Sequence, residues 1–232
     1  MNNRNITIGD NVKIGENVDI GNNVVIHDNV VIGDNVRIDD NTILGKKPII
    51  SLNSATTKYK QLGSLIINEN TLIGSSAIIY TGSKVGRDCL IADSATVRED
   101  VEIGNNTTIG SRTLIDNFVK IGSNCKIQSN VHIVPYSEIE DFVFIAPGVL
   151  TSNDTFIGRT KERLDKFKGV HIKKGARIGV GAIILPGITI FEDALVGAGS
   201  VVVRDVMAKK IVVGVPAKIL KDVSAEQLLE NQ

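Results

Sequence analysis

The sequence contains no tryptophan, three tyrosines and six phenylalanines, so aromatic residues fill only 4% of its 232 positions. It has two cysteines, too few for the disulfide framework of a small secreted domain. No apolar run approaches the roughly 18 to 20 residues that a membrane helix requires. The stretch MNNRNITIGDN carries no apolar segment of the signal-peptide kind. An excess of one charge is lacking as well, since 26 Lys and Arg balance 26 Asp and Glu. That balance argues against nucleic acid as the main partner, because phosphate binding wants a basic surface. From these absences we expect a cytoplasmic protein with no membrane segment and no nucleic-acid partner.

What is present is β-branched. Ile supplies 33 residues and Val 26, about a quarter of the chain. A core of this kind favours many narrow layers of strand over packed helices. The aliphatic residues recur every six positions, through Ile8, Ile14, Ile20, Ile26, Ile32, Ile38 and Leu44, then from Ile67 to Ile145 and from Ile172 to Val202. The typical unit is I-G-x-N-V-x. Six is not the 3.6 period of a helix; it fits short strands separated by tight turns, where Gly, Asn and Asp accept positive φ. Such hexads cannot each bury a face alone, but a solenoid of them buries one continuous column. Three hexads per triangular coil would give about 18 residues per turn and about nine coils. Cys89 and Cys125 share a hexad position, six hexads apart. They should stack two coils apart, roughly 10 Å, beyond disulfide reach. The number of sides and the handedness do not follow from the period, and parallel crossovers are right-handed in about 98% of cases.

Two segments leave the period, residues 45–66 and 152–171. Long loops in a rigid array are often functional, although a tolerated insertion is the plainer alternative. We expect a β-helix domain over 1–222 and a helical tail over 223–232, in which Ser224 caps a short helix through Leu229 and covers the end of the core.

The I-G-x-N-V-x array resembles that of the hexapeptide-repeat acyltransferases. The resemblance implies an all-β fold, a left-handed parallel β-helix. Residues 91–154, IADSATVREDVEIG through IAPGVLTSND, are similar to the N-acetyltransferases of nucleotide-linked amino sugars. Residues 172–206 look like the segment that acetyl-CoA users share. The implied activity is acetyl transfer from acetyl-CoA to the amine of a dTDP-linked (or UDP-linked) amino-deoxy sugar. A 3-amino-3,6-dideoxyhexose comes first, serving surface polysaccharide or glycan synthesis. The implied assembly is a homotrimer with active sites between subunits, and no metal is implied.

By the same resemblance, Asn153 and Asp154 stand where relatives place an Asn beside the amine and the thioester. The match is displaced by one residue, which leaves open which of them takes the role. Asp93 replaces a His found in several relatives and could accept the proton of the amine; an ordinary corner Asp, like Asp10 or Asp34, would look the same. Ser83, Arg98, Glu99, His132 and Tyr136 are candidates for substrate contact. Ala146, Gly148, Gly181, Ala182 and Gly199 would let the pantetheine arm approach the backbone. Lys174, Arg204 and Lys218 would meet the CoA phosphates. The scarce rings Tyr59, Tyr80, Tyr136, Phe156 and Phe167 are the places for a stacked base.

Other readings share the fold. O-acetyl transfer to a small hydroxyl normally needs a His base, and Leu185-Pro186-Gly187-Ile188, after the second loop, contains none. A 4-amino sugar or a longer acyl chain would leave the same signature. A zinc carbonic anhydrase needs three His ligands, and His27 is too far along the array to join His132 and His171. An adhesive or ice-binding solenoid should show outward Thr ladders, whereas the outward positions here are mixed.

Overall fold

The computed structural model of the chain describes residues 5–51, 54 and 61–232; Tyr59 lies outside them. Each hexad forms a short strand that pairs in parallel with the strand three elements further on. The described residues thereby build three sheets of ten, nine and eleven strands. We call them the first face (Ile6–Ile8 to Val201–Val202), the second face (Lys13–Ile14 to Thr189–Ile190) and the third face (Asp19–Ile20 to Lys218–Asp222). Thr7 pairs with Val25 and Asp19 with Arg37, so one triangular coil takes three hexads. The nine strands of the second face mark nine coils. The fold is the all-β left-handed parallel β-helix that the family resemblance implies. Edge A joins the first and second faces, edge B the second and third, edge C the third and first.

The hexad column is the core. Ile109, Ile115, Ile127 and Ile133 are fully buried, each contributing roughly 1.5 to 3 kcal/mol through burial. In the first coil the column has neighbours on one side only, and Ile8 and Ile14 are 51% and 41% exposed. At the corners Asn takes positive φ, for example Asn17, Asn35 and Asn70, because its short polar side chain tolerates the left-handed region. The same side chains ladder from coil to coil, Asn17 to Asn35 at 3.4 Å and Asn35 to Asn70 at 3.2 Å.

Small polar residues inside the corners satisfy the buried backbone. Thr71, Ser83, Thr107 and Thr113 each donate to a carbonyl of the next coil and accept an N–H from it. Cys89 and Cys125 donate likewise through their thiols, toward the Gly104 and Glu140 carbonyls. Both are free and buried, as their spacing predicts, and Thr107 occupies the coil between them.

Each of the two excursions nearly doubles the coil that carries it. Leu44 pairs with Ile79 instead of a residue three hexads on. Ile139 likewise skips ahead to Ile172. The first excursion leaves after Ile43–Lys46 on the first face and rejoins at Leu65–Ile67 on the second. The second leaves after Leu150–Thr151 and rejoins at His171–Ile172. Both therefore emerge from edge A.

The end of the chain departs from the expectation of a capped helix. Lys210–Val213 and Lys218–Asp222 form an antiparallel hairpin that extends the third face. Two 3-10 turns follow, Ala225–Gln227 and Leu229–Asn231, and the Ser224 side chain caps neither backbone. The tail folds back along the coils, where Leu229 N–H donates to Asp193 Oδ1 at 3.1 Å. Among the described residues no helix is long and apolar enough to cross a membrane.

Candidate active site

Edge A, between the two excursions, carries the densest chemistry. In successive coils one corner position is held by Tyr80, Arg98, Asp116, Val134 and Ser152, in register through the first face. The Tyr80 ring lies between two cations, Lys46 Nζ at 5.4 Å and Arg98 Cζ at 5.1 Å from its centroid. Arg98 forks onto Glu99, with Nε–Oε2 2.8 Å and Nη2–Oε1 2.9 Å, and the Glu99 side chain is only 2% exposed. A buried carboxylate requires such a partner.

Next in the row comes Asp116. Its Oδ2 lies 2.8 Å from His132 Nε2, a residue on the outer surface of the first face. A carboxylate on one ring nitrogen orients the imidazole and sets which nitrogen carries the proton. The His132 side chain is 38% exposed, and its other ring nitrogen makes no hydrogen bond among the described residues. Beside this pair, Phe118 and Tyr136 stack with centroids 5.4 Å apart and planes 9° off parallel.

Asn153 begins the second excursion one coil further on. Its carbonyl accepts the Lys168 N–H, and its side-chain amide makes no hydrogen bond among the described residues. Asp154 turns away into the loop. Its carboxylate accepts the Phe156 and Gly158 N–H groups, both at 2.9 Å, and Arg163 at 3.2 Å. Desolvation pushes its pKa up, but these donors outweigh it and hold the carboxyl below the usual range. Asp154 thus organises the excursion.

The remaining candidates separate by edge. Ser83 is fully buried beneath edge A, donating to the Arg98 carbonyl and accepting the Val101 N–H; its hydroxyl serves the wall. Asp93 lies across the first face on edge C, and its Oδ1 accepts the Ser75 N–H at 2.9 Å. Asp28, Asp34, Asp40 and Asp141 make the same corner bond. Gly148, Gly181 and Gly199 stack in one column on edge C, all at positive φ. A Cβ at Gly181 or Gly199 would meet nothing within 4 Å, and at Gly148 only Gly181 at 4.0 Å. This smooth strip fits an arm bound through backbone groups. Ala146 borders it, nearly buried, while Ala182 points into the core and only its neighbour Gly181 reaches the surface. The cations do not converge in one chain. Lys174 is on edge B over Phe142, and Arg204 extends edge A beyond Asn153. Lys218 lies nearest the glycines, since the Ala217 N–H donates to the Val201 carbonyl. Among the described residues no group of three or more His, Cys, Asp or Glu is placed to hold a metal.

Sequence reasoning did not find Asp116. Its signal is the break in the unit at Leu114-Ile115-Asp116-Asn117-Phe118, where an Asp stands in the position that Gly takes more often than any other residue after the column aliphatic.

The comparisons agree with this architecture. The repeat described as bacterial transferase hexapeptide matches residues 5–40 and 82–117. The hexapeptide repeat of succinyl-transferase matches 64–92, 100–135 and 169–204. The chain is thus built from the hexapeptide repeat of transferases. It is 38% identical over 91 residues to a serine acetyltransferase of Buchnera aphidicola subsp. Acyrthosiphon pisum, covering 37% of this chain and 33% of the relative. It is 50% identical over 52 residues to a 2,3,4,5-tetrahydropyridine-2,6-dicarboxylate N-acetyltransferase of Clostridium perfringens, 22% of each chain. It therefore spans a third or less of the length of these relatives. LpxA of Acinetobacter baumannii shares the fold, with TM-score 0.58 and 19% identity over 93% of this chain and 71% of that one. AntD, an N-acyltransferase of Bacillus cereus solved as a mutant in complex with dTDP and coenzyme A, gives TM-score 0.53 and 25% identity. That match covers 69% of this chain and 84% of AntD.

Proposed function

We propose that the protein transfers an acetyl group from acetyl-CoA to the amine of a nucleotide-linked amino sugar. The observation that carries this reading is the His132–Asp116 pair, set on edge A between two excursions. The likeness to AntD supports the choice of an acyl-CoA donor and a dTDP-linked acceptor.

The amine must be neutral to attack a thioester. With Nε2–H donating to Asp116, His132 Nδ1 is the basic nitrogen. The amine nitrogen bonds to the acetyl carbon, Nδ1 takes the proton it sheds, the C–S bond breaks, and that proton passes to the departing CoA thiolate. Asn153, whose amide is uncommitted, holds the amine or the thioester oxygen. We assign proton transfer to His132 rather than Asp93, because the Asp93 carboxylate already closes a corner.

The glycine strip lies on edge C, and Asp116, which holds His132 on the first face, lies on edge A at the opposite border. Gly148 and Asn153 are close in sequence, at most roughly 17 Å apart along extended chain. A homotrimer that sets edge A of one subunit against edge C of the next would bring the two together. Outward residues of the first face support that packing: Ile78, Leu114, Leu150, Ile183 and Val201 are apolar, interrupted by Thr96 and by His132 itself, and Leu150 is 46% exposed.

One observation favours a second reading. A carboxylate-oriented His also suits a hydroxyl nucleophile, so O-acetyl transfer regains weight, in keeping with the serine acetyltransferase match. The test is a panel of nucleotide amino sugars beside hydroxyl acceptors, with acetyl-CoA, reading thiol release. We expect release with an amino sugar, and His132→Asn to slow it by about 100-fold or more with the melting temperature unchanged. Release with hydroxyl acceptors alone selects the second reading; an unaffected His132→Asn removes the assigned base.

A further inference from the structure

We propose that the cleft beneath the second excursion is a nucleoside-binding subsite, in which the open face of Tyr136 takes a nucleobase as the third ring of the stack begun by Phe118. The choice of nucleotide rests on the nucleotide-sugar reading above; the ring slot itself rests on geometry.

The corner column just inside edge A runs, coil by coil, through Asp100, Phe118, Tyr136, Gly169 and Gly187, in register with the second-face strands that follow. Phe118 and Tyr136 have φ of 61° and 65°. Bulky residues are rare in that region, and most equivalent corners here use Asn, Asp or Gly. A ring held at such a corner points to a use for the ring. One face of Tyr136 is covered by Phe118. On the other side the next rung is Gly169, whose backbone sits so close that a Cβ there would collide with the Ser137 backbone nitrogen. The rung after it is Gly187. The ring stack therefore stops where the side chains stop, and Tyr136 remains 41% exposed.

The space left over is a cleft of about 370 Å³, within the range of small-ligand sites. Phe167 of the excursion forms its outer wall, and Lys168 lies along Gly187, its Cβ 3.5 Å from where a Gly187 Cβ would be. His171 at the floor is already paired, with Nε2 3.1 Å from Glu138 Oε2. Lys168, which has no carboxylate partner among the described residues, is the cation placed for a phosphate. Tyr136 and His132 are near neighbours around edge A, at most roughly 14 Å apart along the chain. A base on Tyr136 thus lets an extended pyrophosphate-linked sugar reach toward His132.

Calorimetric titration of the full chain with dTDP, UDP and, separately, coenzyme A tests this, using wild type, Tyr136→Asn and Tyr136→Phe. Asn is the residue most often found at these corners, so that variant removes the ring and keeps the fold; Phe keeps the ring. We expect Tyr136→Asn to weaken binding of the nucleoside diphosphate by about tenfold or more, Tyr136→Phe to bind like wild type, and coenzyme A to bind all three equally. Unchanged binding by Tyr136→Asn overturns the subsite, as does wild-type protein that binds neither diphosphate. If the diphosphate binds through Tyr136 but no amino sugar is acetylated, the subsite stands and the acetyl-transfer reading falls.

Discussion

Ser83 and Asp116 occupy nearby coils beneath and upon edge A, yet one is spent on the wall and the other orients a histidine. The difference lies in position within the hexad. Two residues before the column aliphatic, a small polar group faces inward and must serve the backbone; one residue after it, the side chain faces out. Read this way, the cysteines are wall residues, using thiols where Thr71 and Thr107 use hydroxyls. Burial pushes the Cys125 thiol up to about 11 and raises Cys89 as well. Since the thiolate is the reactive form, native protein at pH 8 should show no thiol reacting with a disulfide reagent, and two after unfolding. The sign with pH follows. An unfolded thiol ionises near 9.0, folded Cys125 only near 11, so this contribution to stability is complete below pH 9 and lost as pH rises toward 11. Denaturant titrations at pH 8 and pH 10 would measure the fall; a native thiol that reacts at pH 8 would contradict the burial.

Among the elements, the strands and corners were legible in the sequence because each hexad repeats the same physical problem. Ile at every sixth position can be buried only by stacking, and Asn or Gly at the corner states the sign of φ. Counting hexads also puts Asn153 and Glu99 on one face, since three whole coils separate them with no insertion between. Beyond the second excursion the period alone misleads: Glu138 lies against His171, and only the folded coil reveals how much chain is inserted between them. The Asp116–His132 contact was illegible for a related reason, because it runs almost once around a coil, between a corner and a face. The glycines of edge C lie between these cases. Their spacing was visible, but only the structure shows that Gly148, Gly181 and Gly199 form one open strip. Gly181→Asn tests its use. Asn accepts the positive φ found there, as it does at many corners of this chain, so the melting temperature should hold. The added side chain stands in the path proposed for the pantetheine arm. We expect KM for acetyl-CoA to rise about tenfold or more while dTDP affinity stays constant. An unchanged KM would move the donor elsewhere.

For the whole molecule, the question is whether one chain can hold a complete site. The outward residues of the first face are mostly apolar, interrupted by Thr7, Thr96 and His132, whereas the second carries Lys84, Glu102, Lys120 and Glu138 in alternating charge. The third face also exposes Leu72, Leu90 and Phe144, so apolar surface does not choose between it and the first; we propose the first face as the one covered by another copy because the two halves of the proposed site border it. In the proposed homotrimer, cyclic packing would set edge A of each subunit against edge C of its neighbour and close after three such contacts. Equilibrium sedimentation should then give three times the 24.9 kDa of one chain. The sharper test mixes two defective variants. His132→Asn damages edge A and Gly181→Asn damages edge C, so each homotrimer should be slow. In trimers re-formed from an equal mixture, about one boundary in four would pair an intact edge A with an intact edge C, restoring about a quarter of wild-type turnover at limiting acetyl-CoA. A site contained in one chain predicts no recovery, because no subunit in the mixture carries both halves intact. Recovery that appears only after the subunits are allowed to exchange, and not on simple mixing of stable trimers, assigns the activity to the shared boundary.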